Sequence, residues 1–183
     1  MEFTDPELIA EIHAGSLVAF ERLVRRYERL VYKVALGFTA DPQAALDVAQ
    51  NVFLRIHAKL PSYRGEGELR SWILRLVMNE SMNWNRAQKR HRAERLPDEL
   101  PAVGSAPQEA GLGRREARTL LRRSLDTLSP RHRLAVVLRY VEELPIPEIA
   151  ATLGCSEGVA KNVLFRSLRK MRTHLSVTTE ARP

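Results

Sequence analysis

PSYRGEGELRSWILRLVMNESMNWNRAQKRHR (61–92) is a short glycine-containing loop that opens directly into a long amphipathic helix. Apolar side chains recur along it at steps of three, four and seven, which predicts a single buried face on an α-helix. That face consists of Leu69, Trp72, Ile73, Leu76, Val77 and Trp84. The rest of the N-terminal half is expected to pack against this helix.

A second stripe on the same helix is polar and cationic. It consists of Asn79, Asn83, Arg86 and Arg90, and it ends in the basic run RAQKRHR. Amide and guanidinium groups at this spacing suit hydrogen bonds to base edges and contacts to phosphates along one nucleic-acid strand. An ordinary solvated helix face fits the same pattern, so the stripe alone leaves both interpretations open.

The composition favours a helical protein with a polyanionic partner. The 183 residues carry a net charge of +7 and a pI near 10.1, with 44% hydrophobic and only 6% aromatic residues. A single cysteine, Cys155, rules out an internal disulfide framework. The acidic N-terminus lacks the basic region of a secretory signal, and no apolar run is long enough to span a membrane. We therefore expect a soluble, cytoplasmic protein with no direct membrane insertion.

Helix start and stop signals divide the region before this stretch. Asp5-Pro6 predicts a helix capped by Asp5, which Gly15 ends, and Ser16 predicts the cap of a helix running to about residue 38. Asp41-Pro42 repeats the start signal for a helix to about residue 60. We expect the core-facing side chains of that helix to be Leu46, Ala49, Val52, Phe53 and Ile56.

The composition changes abruptly at residues 96–113. This segment has three prolines, three glycines, three acids and no Lys or Arg, which is typical of a linker. The predicted organisation is therefore an all-α chain with a helical domain at 1–95, the linker, a second helical domain at 114–175 and a tail at 176–183. Net charges of +3 and +7 flank the −3 linker, counting the tail with the second domain.

The second domain contains the pattern of a helix-turn-helix in EIAATLGCSEGVAKNVLFRSLRK (148–170). Gly154 suits the left-handed end of the first helix, and Ser156 suits the cap of the second. In the second helix Val159 and Val163, together with Leu164 and Leu168, are expected to face inward. Five side chains are expected to face a major groove: Lys161, Asn162, Phe165, Arg166 and Arg169. A plain helical hairpin is the alternative, and the clustered cations favour DNA.

The chain resembles the extracytoplasmic-function (ECF) sigma factors, the smallest type of bacterial RNA polymerase sigma subunit. The matching stretches are FERLVRRYERLVYKVA, AALDVAQNVFLRIHAKL, SYRGEGELRSWILRLVMNESMNW and LSPRHRLAVVLRYVEELPIPEIAATLGCSEGVAKNVLFRSLRKMR. They occur in the family's order on both sides of the linker. The resemblance implies two all-α domains, sigma region two at 1–95 and a helix-turn-helix region four at 114–175.

The resemblance implies roles for particular residues of the first domain. The surface that binds core RNA polymerase, at its beta-prime clamp, corresponds to Asp47, Gln50, Asn51, Phe53 and Arg55. The loop that captures a flipped base of the minus-ten element corresponds to Tyr63, Arg64, Gly65, Glu66 and Gly67, and the path of that strand to Asn79, Asn83, Arg86, Lys89 and Arg90. Asn51 stands where the family usually has Glu, which removes one negative charge from the polymerase surface.

For the second domain the resemblance implies contacts to the minus-thirty-five element and to the beta flap of the polymerase. The matching DNA positions are Ser156, Lys161, Asn162, Arg166 and Arg169. Val163 stands where the family commonly has Arg, so the recognised sequence is expected to differ from the usual one. The resemblance also implies an anti-sigma factor as a partner.

Two other functional classes remain as alternatives. In the first, the chain is a classical regulator that binds duplex operators without polymerase, and residues 1–93 serve dimerisation or sensing. In the second, it is an enzyme, but no phosphate loop, paired catalytic carboxylates or nucleophile with a supporting base is apparent in the sequence. The five histidines lack metal-ligand spacing. We therefore expect no enzymatic activity, no cofactor and no metal.

Overall fold

The computed structural model describes residues 3–65, 67–94 and 112–180. Glu66 and residues 95–111, which include most of the predicted linker, lie outside the described residues. The described parts form eight α-helices and one 3-10 turn. The helices are α1 Asp5–His13, α2 Leu17–Thr39, α3 Pro42–Lys59, α4 Leu69–Glu94, α5 Leu112–Asp126, α6 Pro130–Tyr140, α7 Ile146–Leu153 and α8 Glu157–Glu180, and the 3-10 turn is Leu60–Ser62.

The first helix begins with a capping box, one residue earlier than predicted. Thr4 is the N-cap, and its backbone N–H and hydroxyl donate to the Glu7 carboxylate at 2.7 and 2.9 Å. These bonds lower the pKa of Glu7. The prediction of Asp5 as the cap was therefore wrong. Asp5 lies in the first turn, where its carboxylate binds Arg26 at 2.7 Å and accepts a hydrogen bond from the Tyr27 hydroxyl.

The predicted caps of α2 and α3 are confirmed. The Ser16 hydroxyl accepts a hydrogen bond from the backbone N–H of Ala19 at 3.2 Å, and the Asp41 carboxylate accepts one from Ala44 at 2.8 Å. Between them, Ala40 ends α2 in a left-handed conformation with φ 53°. A reversal this short lets α3 pack back along α2.

Helices α2, α3 and α4 form a bundle around an aliphatic core. The apolar stripe predicted for α4 is largely confirmed, since Leu69, Ile73, Leu76 and Val77 are buried. Burying each such side chain contributes about 1.5–3 kcal/mol. The prediction for Leu46 was wrong, because this side chain is 53% exposed on α3.

In the second unit the prediction for the buried face of α8 is confirmed at Leu164 and wrong at Val159. Val159 is 47% exposed, while Ala160 is fully buried and is followed by buried Leu164 and Met171. The small side chains of Ala160 and Ala150 are both buried where α8 packs on α7. On α5, Leu121 is 49% exposed. Helix α8 continues to Glu180, through part of the predicted tail.

The two helical units pack against each other. Helices α2 and α4 of the first unit contact α6 and α7 of the second. Among these contacts, Arg70 at the start of α4 pairs with Glu148 of α7 at 2.8 Å. This packing places the second unit beside the loop that precedes α4.

Candidate nucleic-acid interface

The loop before α4 is shaped by two glycines and one tyrosine. Gly65 and Gly67 have φ values of 77° and 80°, a left-handed conformation that L side chains rarely adopt. The Tyr63 hydroxyl donates a hydrogen bond of 2.8 Å to the Gly67 carbonyl oxygen and so closes the loop. Burial raises the pKa of Tyr63, which keeps the phenol protonated as a donor. Of the remaining loop residues, Arg64 is exposed.

A cationic pocket of about 310 Å³ opens beside this loop. Its lining includes Lys59, Arg64 and Arg75 and, among the described residues, no Asp or Glu. Its aromatic wall is the pair Tyr63 and Trp72, whose ring centroids lie 5.1 Å apart. A pocket that combines three cations with two aromatic rings suits a nucleotide, because it offers both phosphate contacts and stacking.

Three of the residues in this pocket were not predicted as site residues. Trp72 was interpreted as core, but it is only half-buried and lines the pocket. Lys59 at the end of α3 and Arg75 on α4 were not singled out. The available signal was the spacing of Trp72 and Arg75, which puts them on the same side of α4 one turn apart.

A larger groove of about 1290 Å³ lies between α1 and the same loop. Its lining includes the carboxylates of Asp5, Glu68 and Glu148. Carboxylates repel phosphates, so this groove suits a nucleic-acid strand less well than the smaller cationic pocket. Size alone therefore does not decide which side of the loop is the better candidate for nucleic acid.

The polar stripe predicted on α4 is exposed. Asn79, Asn83, Arg86 and Arg90 are all accessible to solvent along one side of the helix. Lys89 belongs to the same predicted set, but its side chain lies outside the described part of the structure. The stripe lies further along α4 than Trp72 and Arg75, the two residues of this helix that line the cationic pocket.

Four of the five side chains predicted to bind polymerase are exposed on α3. Asp47, Gln50 and Asn51 are exposed. Phe53 is half-buried against the core, and Arg55 is tied to Glu80 of α4 at 2.7 Å. The Phe53 side chain is thus partly covered, whereas that of Arg55 is still 49% exposed.

Two exposed leucines lie on the same face of α3 and were not predicted there. Leu46 and Leu54 are 53% and 63% exposed, at steps of four residues on either side of Gln50. They give this polar surface an apolar component of the kind found in the centre of protein interfaces.

The second unit forms the predicted helix-turn-helix. Gly154 ends α7 with φ 63°, and the Ser156 hydroxyl accepts a hydrogen bond from the backbone N–H of Val159 at 3.4 Å. Cys155 lies half-buried in the turn. The predicted DNA-facing side chains are all exposed on or next to α8: Ser156, Lys161, Asn162, Phe165, Arg166 and Arg169.

One histidine, His132 of α6, contacts α8, the second helix of the helix-turn-helix. The Ser167 hydroxyl donates to the Val163 carbonyl at 2.7 Å, so its contact of 3.0 Å with His132 Nδ1 requires the imidazole to donate. Burial lowers the pKa of His132, and the nearby cations Arg166, Lys170 and Arg131 lower it further. The neutral ring therefore fits this position.

The described residues provide neither a cluster of metal ligands nor a membrane-spanning helix. Within the described ranges no group of three or more His, Cys, Asp or Glu side chains is placed to hold a metal ion. None of the helices in those ranges is both long and apolar enough to cross a membrane.

Family models match both helical units. The model described as Sigma-70 region 2 matches residues 23–91, and the model described as Sigma-70, region 4 matches residues 118–171. The first range contains α3, the loop and most of α4. The second contains the helix-turn-helix.

Several sigma factors are similar to this chain over most of its length. The RNA polymerase sigma-E factor of Streptomyces antibioticus is 30% identical over 163 residues, which cover 88% of this chain and 87% of that protein. The ECF RNA polymerase sigma-E factor of Escherichia coli is 27% identical over 176 residues and 91% of each chain. The ECF RNA polymerase sigma factor SigE of Mycolicibacterium smegmatis is 30% identical, and the chain spans 63% of its length.

Two solved structures share the fold. CnrH, in complex with the cytosolic domain of CnrY, has a TM-score of 0.66 at 22% identity and covers 93% of this chain and 96% of its own. The sigma factor RpoE of Bartonella quintana, in complex with the anti-sigma factor NepR, has a TM-score of 0.60 at 20% identity, covering 86% and 97%. The fold, the two family models and the similar relatives agree: the chain belongs to the sigma-70 family of RNA polymerase sigma factors and, within it, to the extracytoplasmic-function type.

Proposed function

We propose that this sigma factor divides promoter recognition between its two domains. The N-terminal domain, residues 1–95, binds core RNA polymerase and holds the opened minus-ten element. The C-terminal domain, residues 114–175, binds the minus-thirty-five element in duplex form. The protein acts in the cytoplasm beside the polymerase and performs no catalytic chemistry of its own.

The cationic pocket beside the loop is the observation that carries this proposal. Extruding a base from duplex DNA costs a few kcal/mol, which contacts to the flipped nucleotide must offset. Stacking of one base on an aromatic side chain contributes about 1–3 kcal/mol. In this pocket Tyr63 and Trp72 supply the rings, and the cations Lys59, Arg64 and Arg75 supply phosphate contacts.

The exposed stripe of α4 extends this site along the strand. Asn79 and Asn83 can hydrogen-bond base edges, because a carboxamide offers both a donor and an acceptor. Arg86, Lys89 and Arg90 follow toward the end of the helix and hold phosphates. The strand thus leaves the pocket and follows α4.

Helix α8 makes the contacts to the duplex minus-thirty-five element. Lys161, Asn162 and Arg166 reach base edges in the major groove, where one good bidentate contact is worth about 1–3 kcal/mol of discrimination. Ser156 and Arg169 lie toward either end of this surface and contact the backbone. The apolar Val163 lacks the hydrogen-bonding capacity of an arginine, so it reads no guanine.

Two protein partners complete the proposal. Core polymerase binds the exposed face of α3 at Asp47, Gln50 and Asn51 through the beta-prime clamp, and the C-terminal domain binds the beta flap. An anti-sigma factor regulates this access. Support for that partner comes from the RpoE structure, in which a sigma factor of the same fold is bound by an anti-sigma factor.

Run-off transcription with purified core polymerase on a promoter library tests the proposal. We expect discrete new start sites that require the chain, with one sequence element near each of the two expected positions. Specific duplex binding by the free chain, together with no new start sites, would instead indicate a classical regulator.

A paired variant tests the assignment of α4. Asn79→Ala with Asn83→Ala should preserve binding to core polymerase and block promoter opening, measured by permanganate reactivity of unpaired thymines. Arg29→Ala, on the exposed side of α2, is the control. Loss of polymerase binding or of helical structure in the double variant would mean that the two asparagines are structural.

A further inference from the structure

A further cavity, of about 400 Å³, lies between the second half of α4 and the turn that joins α5 to α6. We call it the arginine pocket. Its volume falls at the lower end of the range of small-molecule sites in proteins, which is about 300–1,000 Å³. Among the residues that the structure describes, it shares no lining residue with the cationic pocket beside Tyr63. It is therefore a separate site.

The lining of the arginine pocket carries an excess of positive charge. Three arginines line it, Arg86 of α4, Arg122 of α5 and Arg133 of α6, and the one carboxylate among its described lining residues is Asp126. This carboxylate is already engaged, because it accepts a hydrogen bond from Arg133 Nη1 at 2.6 Å. An anion that enters the pocket therefore meets cations whose charge the lining does not balance.

Arg133 is the most deeply buried cation of this lining. It is only 5% exposed, and its Nε donates to the Gly37 carbonyl oxygen at 3.1 Å while Nη1 donates to Asp126. The other terminal nitrogen, Nη2, is buried and has no hydrogen-bond partner among the described residues. Burial lowers the pKa of Arg133, against the opposite effect of Asp126. A buried donor without an acceptor is costly, so an oxygen that bound Nη2 would remove this penalty.

Two long side chains of the lining control access to this nitrogen. Arg122 and Gln88 share the pocket with Arg133, and each has several rotatable bonds. A change of rotamer in either side chain can bring a ligand oxygen to Nη2. Arg122 can then bind the second oxygen of the same carboxylate, because a guanidinium offers donors in a planar fork.

The rest of the lining suits an apolar group. Its apolar members are Phe38, Met82, Trp84, Leu128 and Pro130. The Phe38 ring lies 5.3 Å from the guanidinium carbon of Arg133, and the Phe38 carbonyl oxygen accepts a hydrogen bond from Asn85 at 3.3 Å. Inorganic phosphate would leave these apolar surfaces in contact with water, whereas an organic acid would cover them. The lining therefore favours a carboxylate on an apolar or aromatic body.

We propose that the arginine pocket is a binding site for a small organic acid. The carboxylate binds Arg122 and Arg133, and the apolar body packs against Trp84 and Phe38. This site goes beyond the proposed function, because it concerns the free chain and a ligand that is not DNA.

Fluorine NMR of the full-length chain labelled with 5-fluorotryptophan tests the proposal. The chain has two tryptophans, Trp84 in the arginine pocket and Trp72 in the cationic pocket, so each resonance reports on one pocket. The variants Trp72→Phe and Trp84→Phe assign the two resonances. The probes are phenylacetate and 1-naphthylacetate, titrated to millimolar concentration, and each is compared with its uncharged amide.

We expect at least one of the two acids to shift the Trp84 resonance in a saturable manner. Its amide should bind at least about tenfold more weakly, because hydrogen bonds between charged groups are stronger than neutral ones. A response of Trp72 alone, an equal response to acid and amide, or no response of Trp84 to either acid would overturn the inference.

Two variants of the lining should change the affinity for the bound probe in opposite directions. Arg122→Gln removes a cation and should weaken binding at least about fivefold, whereas Asp126→Asn removes the competing carboxylate and should strengthen it at least about twofold. Arg123→Gln, on the exposed side of the same helix, is the matched control, and circular dichroism checks that each variant is folded. The same affinity in all three variants would overturn the inference.

Discussion

The hydroxyl of Tyr63 donates a 2.8 Å hydrogen bond to the carbonyl oxygen of Gly67 and thereby closes the loop at the start of α4. The same phenol ring forms part of the wall of the cationic pocket, against Trp72. One side chain therefore both shapes the loop and contributes to the surface on which a base would stack.

Tyr63→Phe separates these two roles, because it keeps the ring and removes the hydrogen bond. A neutral hydrogen bond contributes about 0.5–1.5 kcal/mol, so we expect promoter opening to weaken by up to about tenfold. The measurement is the fluorescence of 2-aminopurine placed in the minus-ten element and bound by holoenzyme. Tyr32→Phe, which removes a hydroxyl from a half-buried tyrosine of α2, is the control. Equal fluorescence changes in the two variants would argue against a role for the Tyr63 bond.

Arg75→Gln should lower the salt dependence of single-strand binding. Each phosphate contact to a single strand contributes about 0.7 to the slope of log affinity against log salt concentration. We therefore expect the slope for a minus-ten oligonucleotide bound to holoenzyme to decrease by about 0.7. Arg25→Gln removes the same charge from an exposed ion pair with Glu21 and should leave the slope unchanged. A slope that Arg75→Gln does not change would remove this residue from the pocket's phosphate contacts.

The C-terminal domain should lose stability in mild acid because of His132. Burial and three nearby cations hold the pKa of this histidine below its ordinary value of 6.5 in the folded state. As the pH falls through 6.5, the unfolded chain binds a proton that the folded chain still excludes, so the free energy of unfolding decreases. Above that pH His132 is neutral in both the folded and the unfolded chain, so it does not lower the free energy of unfolding.

Urea unfolding at pH 7.5 and pH 5.5 measures this effect. His132→Asn keeps a side-chain hydrogen-bond donor near Ser167 but does not titrate, so the difference between the two pH values should be smaller in the variant. The same pH difference in wild type and variant would show that other groups cause it.

Removing the exposed partner of the Asp126–Arg133 ion pair should destabilise the protein more than removing the buried one. Asp126→Asn leaves the buried guanidinium without its counter-charge, which we expect to cost about 1–3 kcal/mol. Arg133→Met removes the buried charge together with its unsatisfied nitrogen and leaves Asp126, whose side chain is 53% exposed, in contact with water. Its expected cost is below about 1 kcal/mol. Thermal unfolding of both variants, with Arg131→Met as the exposed control, measures which of them loses more stability. A larger loss for Arg133→Met than for Asp126→Asn would contradict this account.

Leu54→Ser should weaken binding to core polymerase without loss of stability. The side chain is 63% exposed, so its removal should change the free energy of unfolding by no more than about 0.5 kcal/mol. Leu17→Ser, which removes a leucine that is 74% exposed at the start of α2, is the matched control. Competition for a fluorescently labelled core polymerase measures the affinity. A loss of affinity shared equally by the two variants would point to a general effect of surface leucines.

Local signals predicted the helices well, because caps and turns depend on a few neighbouring residues. Ser16, Asp41 and Gly154 have the conformations that their positions predict. The faces of the helices were less predictable. On α8 the sequence offers apolar side chains at both Val159 and Val163, and periodicity alone did not reveal that Ala160 is the buried residue between them. On α3, Leu46 has the spacing of a core residue but faces solvent.

Features that join distant parts of the chain could not be predicted from local sequence. Arg133 and Gly37 are 96 residues apart, and nothing in either segment indicates that they bond. The cationic pocket likewise gathers Lys59 from the end of α3 and Arg75 from α4. Such sites arise from tertiary packing, so sequence periodicity identifies their residues only as exposed or buried.

The glycine at position 37 also bears on how sigma factors can be recombined. Sigma domains are natural candidates for chimeras, in which the N-terminal half of one protein is fused to the C-terminal half of another. Here a Cβ atom added at Gly37 of α2 would lie only 2.7 and 2.9 Å from the two Cγ atoms of Val137 of α6, so the residues at these two positions must match. A donor domain with a bulkier residue facing Gly37 would not fit against α2, whereas one with a smaller residue would leave a gap between the two helices. Choosing the residue opposite position 37 therefore offers a way to set how tightly the two halves of a chimera pack on each other.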